Sequence, residues 1–223
     1  MDREKMPVEL YAIHTGYLDD EIIFRKRLQQ VSYQRYEKVN SYKIKEEQKR
    51  SLAAGVLLET ILKERGYDPK QIEREEGGKL YLPNVDDFYF SIAHSGEYAV
   101  CAIADLPVGV DIQQRRNTRS KIARRFFQTA EADHIEGQPE EKREELFFRY
   151  WTGKESYLKL TGKGLFGGLD SFMVDMEQSK IIDPYQHQDI FLKEYHCFED
   201  YYISVACYSS DFSTFIKKIY YRL

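Results

Sequence analysis

The chain has 223 residues, enough for one large domain or two smaller ones with sizeable cores. Its 42% hydrophobic and 31% charged residues describe an ordinary folded protein and exclude a disordered one. A net charge of −4 gives no general pull toward nucleic acid.

Residues 8–16, "VELYAIHTG", alternate well enough to predict a first strand. Residues 19–31 carry Ile22, Ile23, Leu28 and Val31 at helical spacing. A longer helix is predicted over 44–65, where Leu52, Val56, Leu57, Ile61 and Leu62 form a stripe that stops at Gly66. A short strand, "KLYLP", precedes a hairpin of "FYFSIA" and "YAVCAIA" joined through "HSGE". "DLP" at 105–107 is a turn, and "VGVDIQ" at 108–113 is another strand. The order then repeats: a helix over 119–135, a long helix over 141–161, a strand in "SFMVDM", and a second hairpin from "DIFLKEYHCF" and "YYISVACYS". This repeat of element order predicts an α+β fold of two similar halves, 1–106 and 107–223, with a ligand cleft between them.

Cys101, Cys197 and Cys207 are odd in number and lack metal-ligand spacing, which predicts free thiols in a reducing compartment. The first ten residues mix both charge signs around no apolar core, and no later run reaches the length of a membrane span. A cytoplasmic protein is expected.

Two segments carry candidate chemistry. In "VGVDIQ", Val108, Val110 and Ile112 share the face suited to a core, while Gly109, Asp111 and Gln113 share the other. That second face offers a carboxylate and an amide oxygen, half a site for a hard cation such as Mg²⁺. Alone, Asp111 is better explained as a turn cap or an arginine partner than as a metal ligand. In "RYWTGKESYLKLTGKG", Trp151, Glu155 and Lys159 fall at i, i+4 and i+8 on one helical stripe, with Lys154 beside it. An exposed Glu155–Lys159 pair would account for part of this at a few tenths of a kcal/mol. Trp151, however, demands burial and so places Glu155 at a cleft, and "TGKG" adds a cation in a turn of the kind that meets phosphates.

Together, "VGVDIQ" and "RYWTGKESYLK" resemble the two signature motifs of the 4′-phosphopantetheinyl transferases, in their larger, surfactin-synthetase-type class of duplicated single chains. "GGKLYLP", "FSIAHSGEYAVCAIA" and "ARRFFQTAE" resemble further segments of that class, and the matching pieces run from about residue 77 to 172. The resemblance implies transfer of phosphopantetheine from coenzyme A to a serine of a carrier protein, with release of 3′,5′-ADP. It implies Mg²⁺ held by Asp111 and Glu155, with Gln113 where the family usually has a third carboxylate. Lys154 and Lys159 would neutralise phosphates, and Glu155 or Glu131 would take the serine proton. His94 resembles the residue that meets the 3′-phosphate of coenzyme A; Lys79 matches the family's strand lysine, and Arg50 with Ser51 sit where another phosphate contact would lie. A single chain with both halves implies a monomer, without nucleic-acid or membrane partners.

A Ser95–His94 hydrolase pair is disfavoured, because neighbouring residues do not easily point at one another and no nucleophile-elbow sequence surrounds them. Arg115, Arg116, Arg119, Lys121, Arg124 and Arg125 follow one another without an intervening acid. They read either as a solvated face or as a dock for an acidic carrier helix. The alternative to an enzyme is a coenzyme A-binding module that kept the fold without turnover, motivated by Gln113.

Overall fold

β1 (Val8–His14) runs buried for six of its seven residues and so takes a central place in a sheet. This is seen in a computed structural model that describes residues 5–115, 122–164 and 168–220. α1 (Glu21–Leu28) begins where the Asp20 side chain accepts the amides of Ile22 and Ile23 at 2.7 and 3.1 Å. The predicted helix 19–31 is therefore shorter at both ends. A helix absent from the sequence reading follows, α2 (Tyr33–Asn40), with Ser32 at its N-cap. Only Val39 is buried along it, so no apolar stripe announces it. α3 (Lys45–Glu64) is the long helix expected.

Two short strands, β2 (Glu73–Arg74) and β3 (Leu80–Tyr81), pair with each other. β4 (Tyr89–Ser95) and β5 (Tyr98–Ala104) make the first hairpin. Because β4 continues through Ser95, His94 lies within the strand and the turn shrinks to two residues. β6 (Val108–Gln114) carries "VGVDIQ". The predicted helix 119–135 is two short helices, α4 (Ala123–Phe126) and α5 (Thr129–Glu136); its first residues, 119–121, lie outside the described ones. α6 (Glu140–Thr161) is followed by β7 (Met173–Asp175), β8 (Lys180–Ile182), β9 (Ile190–Tyr195), β10 (Tyr201–Cys207) and β11 (Phe212–Lys218).

One sheet has the order β11-β1-β5-β4, the other β6-β10-β9-β8-β7. In each, an opening strand pairs with the second strand of a hairpin, and a long helix lies between them in sequence. β11 departs from a division at 106/107: it returns to the first sheet and pairs in parallel with β1.

α3 packs on one face of the first sheet through Leu57, Leu58 and Ile61, against Cys101 and Ile103. α6 packs on the second sheet through Phe147 and Leu158, against Leu192 and Ala206. The remaining faces share one core, in which Leu10, Val100 and Ala102 meet Val110, Ile112, Ile203 and Val205. Each buried Val, Leu or Ile contributes about 1.5–3 kcal/mol, so this shared layer welds the sheets together. Their edge strands also meet: Ser91 and Ser95 hydroxyls on β4 accept the β6 amides of Val110 and Gln114 at 3.1 and 3.0 Å. Among the described residues no helix is long and apolar enough to cross a membrane.

Candidate active site

Gly109 decides how close the long helix comes. A Cβ there would sit 1.9 Å from the carbonyl oxygen of Ser156 and 2.4 Å from the amide nitrogen of Leu160. Only a hydrogen fits, so the α6 backbone lies directly on β6. Asp111 and Gln113 share the Gly109 face of the strand and reach toward the helix. In the stretch 151–160, Trp151, Glu155 and Lys159 are the three residues short of full burial, so the i, i+4, i+8 stripe faces the cleft as expected.

Lys159 Nζ lies 2.7 Å from Asp111 Oδ1. Asp111 is 4% exposed; burial pushes its carboxyl up while the Lys159 ammonium pulls it down. The Glu155 carboxyl is pushed up first by burial and then by the negative charge of Asp111, again with Lys159 opposing. A strand acid and a helix acid thus converge on one cation. Two desolvated carboxylates that repel each other beside a cleft suit a hard divalent ion with water completing its shell. The residues present fit Mg²⁺, with Asp111 and Glu155 as the groups that would hold it. Among the described residues no cluster of three histidine, cysteine or acidic side chains is found, so these two stand without a third.

On one side of this pair is a cleft of about 310 Å³, lined by Arg35, Arg74, Lys79 and Lys159. Its rim is made where residues 76–79 touch the end of α6: a Cβ on Gly77 would lie 2.2 Å from the Gly162 carbonyl oxygen. Lys79 donates to the carbonyl of Leu160, and burial lowers its pKa. On the other side a cleft of about 370 Å³ is bounded by Arg50, His94 and Gln113 and walled by Phe147, Phe148 and Trp151. His94 is pushed down to about 4 by burial and then by the neighbouring Lys159 charge. Arg50 pairs with Glu47 at 2.6 Å.

Against known proteins, the 4′-phosphopantetheinyl transferase superfamily matches residues 107–206. A 4′-phosphopantetheinyl transferase of Bacillus subtilis is 34% identical over 188 residues, covering 82% of this chain and 84% of the relative. The chain belongs to the 4′-phosphopantetheinyl transferase family. Psf-1 of Bacillus pumilus is 33% identical, covering 77% of this chain and 76% of its own. Sfp of Bacillus subtilis strain 168 is 29% identical, covering 86% and 88%. The protein is an enzyme, a phosphopantetheinyl transferase on an α+β fold.

Not every residue singled out in the sequence of this transferase reaches the cleft. Lys154 is fully buried on the far side of α6, 2.8 Å from Glu131, and donates to the carbonyls of Leu169 and Phe172 at 2.8 Å each. One residue along a helix is a 100° turn, which carries it away from the Glu155 face. Glu131 is 2% exposed and accepts the amides of Val174 and Gln128 as well as Lys154. It ties α5, α6 and β7 together and has no path to a substrate hydroxyl. Ser51 is buried against Arg35, whose Nη1 lies 3.5 Å from its hydroxyl. Lys163 of "TGKG" turns to Asp183 at 3.6 Å. Gln113 directs its amide nitrogen toward Asp111 Oδ2 and its oxygen toward Ser95, each at 3.4 Å.

The basic run is also partly neutralised: Arg115 pairs with Glu144 at 3.0 Å, and Arg124 with Asp133 at 2.7 Å and with Glu136. Arg116, Arg119 and Lys121 lie outside the described residues. The sequence reading missed Arg35 and Arg74, which sit in the unannounced α2 and in a two-residue strand. Their signal was a basic side chain next to a predicted cleft segment, too common to single out.

Proposed function

We propose that the transferase moves 4′-phosphopantetheine from coenzyme A to a serine of an apo carrier protein, with Mg²⁺ held by Asp111 and Glu155. The observation that carries this is the convergence of Asp111, Glu155 and Lys159 against the Gly109 contact. When bound, Mg²⁺ would neutralise charge on the diphosphate. Lys79 and Arg35, on one wall, supply further positive charge for the phosphates. Lys159 adds its ammonium at the junction with the acids, and Arg50 and His94 face the same nucleotide from the other cleft.

The carrier serine Oγ attacks the phosphorus that bears the pantetheine arm. The bond from that phosphorus to the oxygen shared with the departing 3′,5′-ADP breaks. Glu155 takes the serine proton: it lines the cleft beside Lys159, on the helix stripe that faces it. We also assign the nucleotide-side contacts to 1–106 and the metal and catalytic motifs to 107–223. Because one chain frames the whole cleft, we infer a monomer acting in the cytosol.

The test is the mass of purified apo carriers of the fatty-acid, polyketide and nonribosomal-peptide types, each incubated with the protein, coenzyme A and Mg²⁺. At least one carrier gains a single phosphopantetheine. If coenzyme A binds while every carrier keeps its mass, the chain is a binding module instead.

A further inference from the structure

Gln113 makes two polar contacts that point in opposite directions. Ser95 Oγ already accepts the Gln114 amide at 3.0 Å, so its hydroxyl hydrogen is available to donate to Gln113 Oε1 at 3.4 Å. The amide nitrogen is thereby left facing Asp111 Oδ2, also at 3.4 Å. Turning the amide over would set its oxygen against a carboxylate oxygen, acceptor against acceptor. Asp111 is therefore gripped from two sides, by Lys159 on Oδ1 at 2.7 Å and by Gln113 on Oδ2. A carboxylate at position 113 has no hydrogen to donate; an amide does.

We propose that Gln113 is a positioning residue rather than a metal ligand: anchored by Ser95 from the other sheet, it donates to Asp111 and holds the orientation in which that carboxylate meets the divalent ion. This rests on the metal reading given above. It also makes the metal site depend on the seam between the two sheets, since Ser95 is on β4 and Gln113 on β6.

The experiment uses the whole protein with coenzyme A and Mn²⁺ as the probe ion. Mn²⁺ affinity is measured by titration, and the number of water molecules bound directly to Mn²⁺ by water-proton relaxation. Wild type, Gln113→Met, Ser95→Ala and the double variant are compared. Loss of an outer-shell partner is expected to weaken Mn²⁺ binding roughly 10-fold in each single variant. The double variant should be no weaker than the worse single, because both changes cut one chain of contacts. The water count in Gln113→Met should equal that of wild type.

One additional bound water in Gln113→Met would make Gln113 a ligand and overturn the inference, as would unchanged affinity or additive losses. Undiminished Mn²⁺ binding in Asp111→Asn would overturn the metal reading itself, and this inference with it.

Discussion

Glu155 and His94 show how burial sets the chemistry of single residues. The Glu155 carboxyl is pushed up by desolvation and by Asp111, with Lys159 opposing the rise. In Glu155→Gln the shape remains while both the base and a metal charge are lost. Turnover is expected to fall at least roughly 1,000-fold, with 3′,5′-ADP still bound in the absence of metal. Retained turnover would remove Glu155 from the mechanism. His94 is held neutral, its pKa near 4 against an ordinary 6.5. Between those values the unfolded chain binds more protons than the folded one, so stability rises with pH there. This contribution is present above about 6.5 and is lost as pH falls toward 4. Melting temperatures of His94→Asn are expected to decline less steeply than wild type across that window. Equal slopes would show that His94 titrates as an exposed group.

At the scale of elements, the strand–helix contact at Gly109 and the ion pair behind α6 do different work. Gly109→Ala pushes Ser156 and Leu160 off β6 and so parts Glu155 from Asp111. Overpacking of this kind costs about 3 kcal/mol, roughly 6–12 °C in melting temperature for a chain of this size, and Mn²⁺ affinity should fall with it. A Gly109→Ala variant that melts and binds like wild type would contradict the contact. Lys154→Met alone strands Glu131 in the interior and should cost about 3–5 kcal/mol. The double variant Lys154→Met, Glu131→Leu removes the stranded charge but leaves the Val174 and Gln128 amides without their acceptor, so it should recover part of that stability and keep transfer activity. Loss of activity in a stably folded double variant would return Glu131 to the mechanism.

The same elements show what could be read without coordinates. The Trp151, Glu155 and Lys159 stripe was legible because helical spacing is periodic, and the alternation in "VGVDIQ" put Asp111 on the proper face. Lys154 and Glu131 were misplaced because a motif records order along the chain, not the direction in which a side chain leaves a helix. Arg35 was missed because α2 buries a single apolar residue.

For the whole molecule, the two sheets share a core, and β11 crosses back to the first of them. Element order along the chain displayed the repeat, but nothing in "FSTFIKK" signals which sheet it joins, since none of its residues is fully buried. Ending the chain at residue 211 should expose the β1 edge and lower stability, and halves 1–106 and 107–223 expressed separately should not fold alone. The site inherits this architecture, because Asp111 stands on the strand at the seam and Glu155 on the helix laid over it. The most direct measurement is anomalous diffraction from a crystal of the protein grown with coenzyme A and Mn²⁺. The expected result is one Mn²⁺ peak within coordination distance of a carboxylate oxygen from both Asp111 and Glu155, with the Gln113 oxygen outside that shell. A peak bound by only one of the two acids, or lying elsewhere in the cleft, would contradict the account.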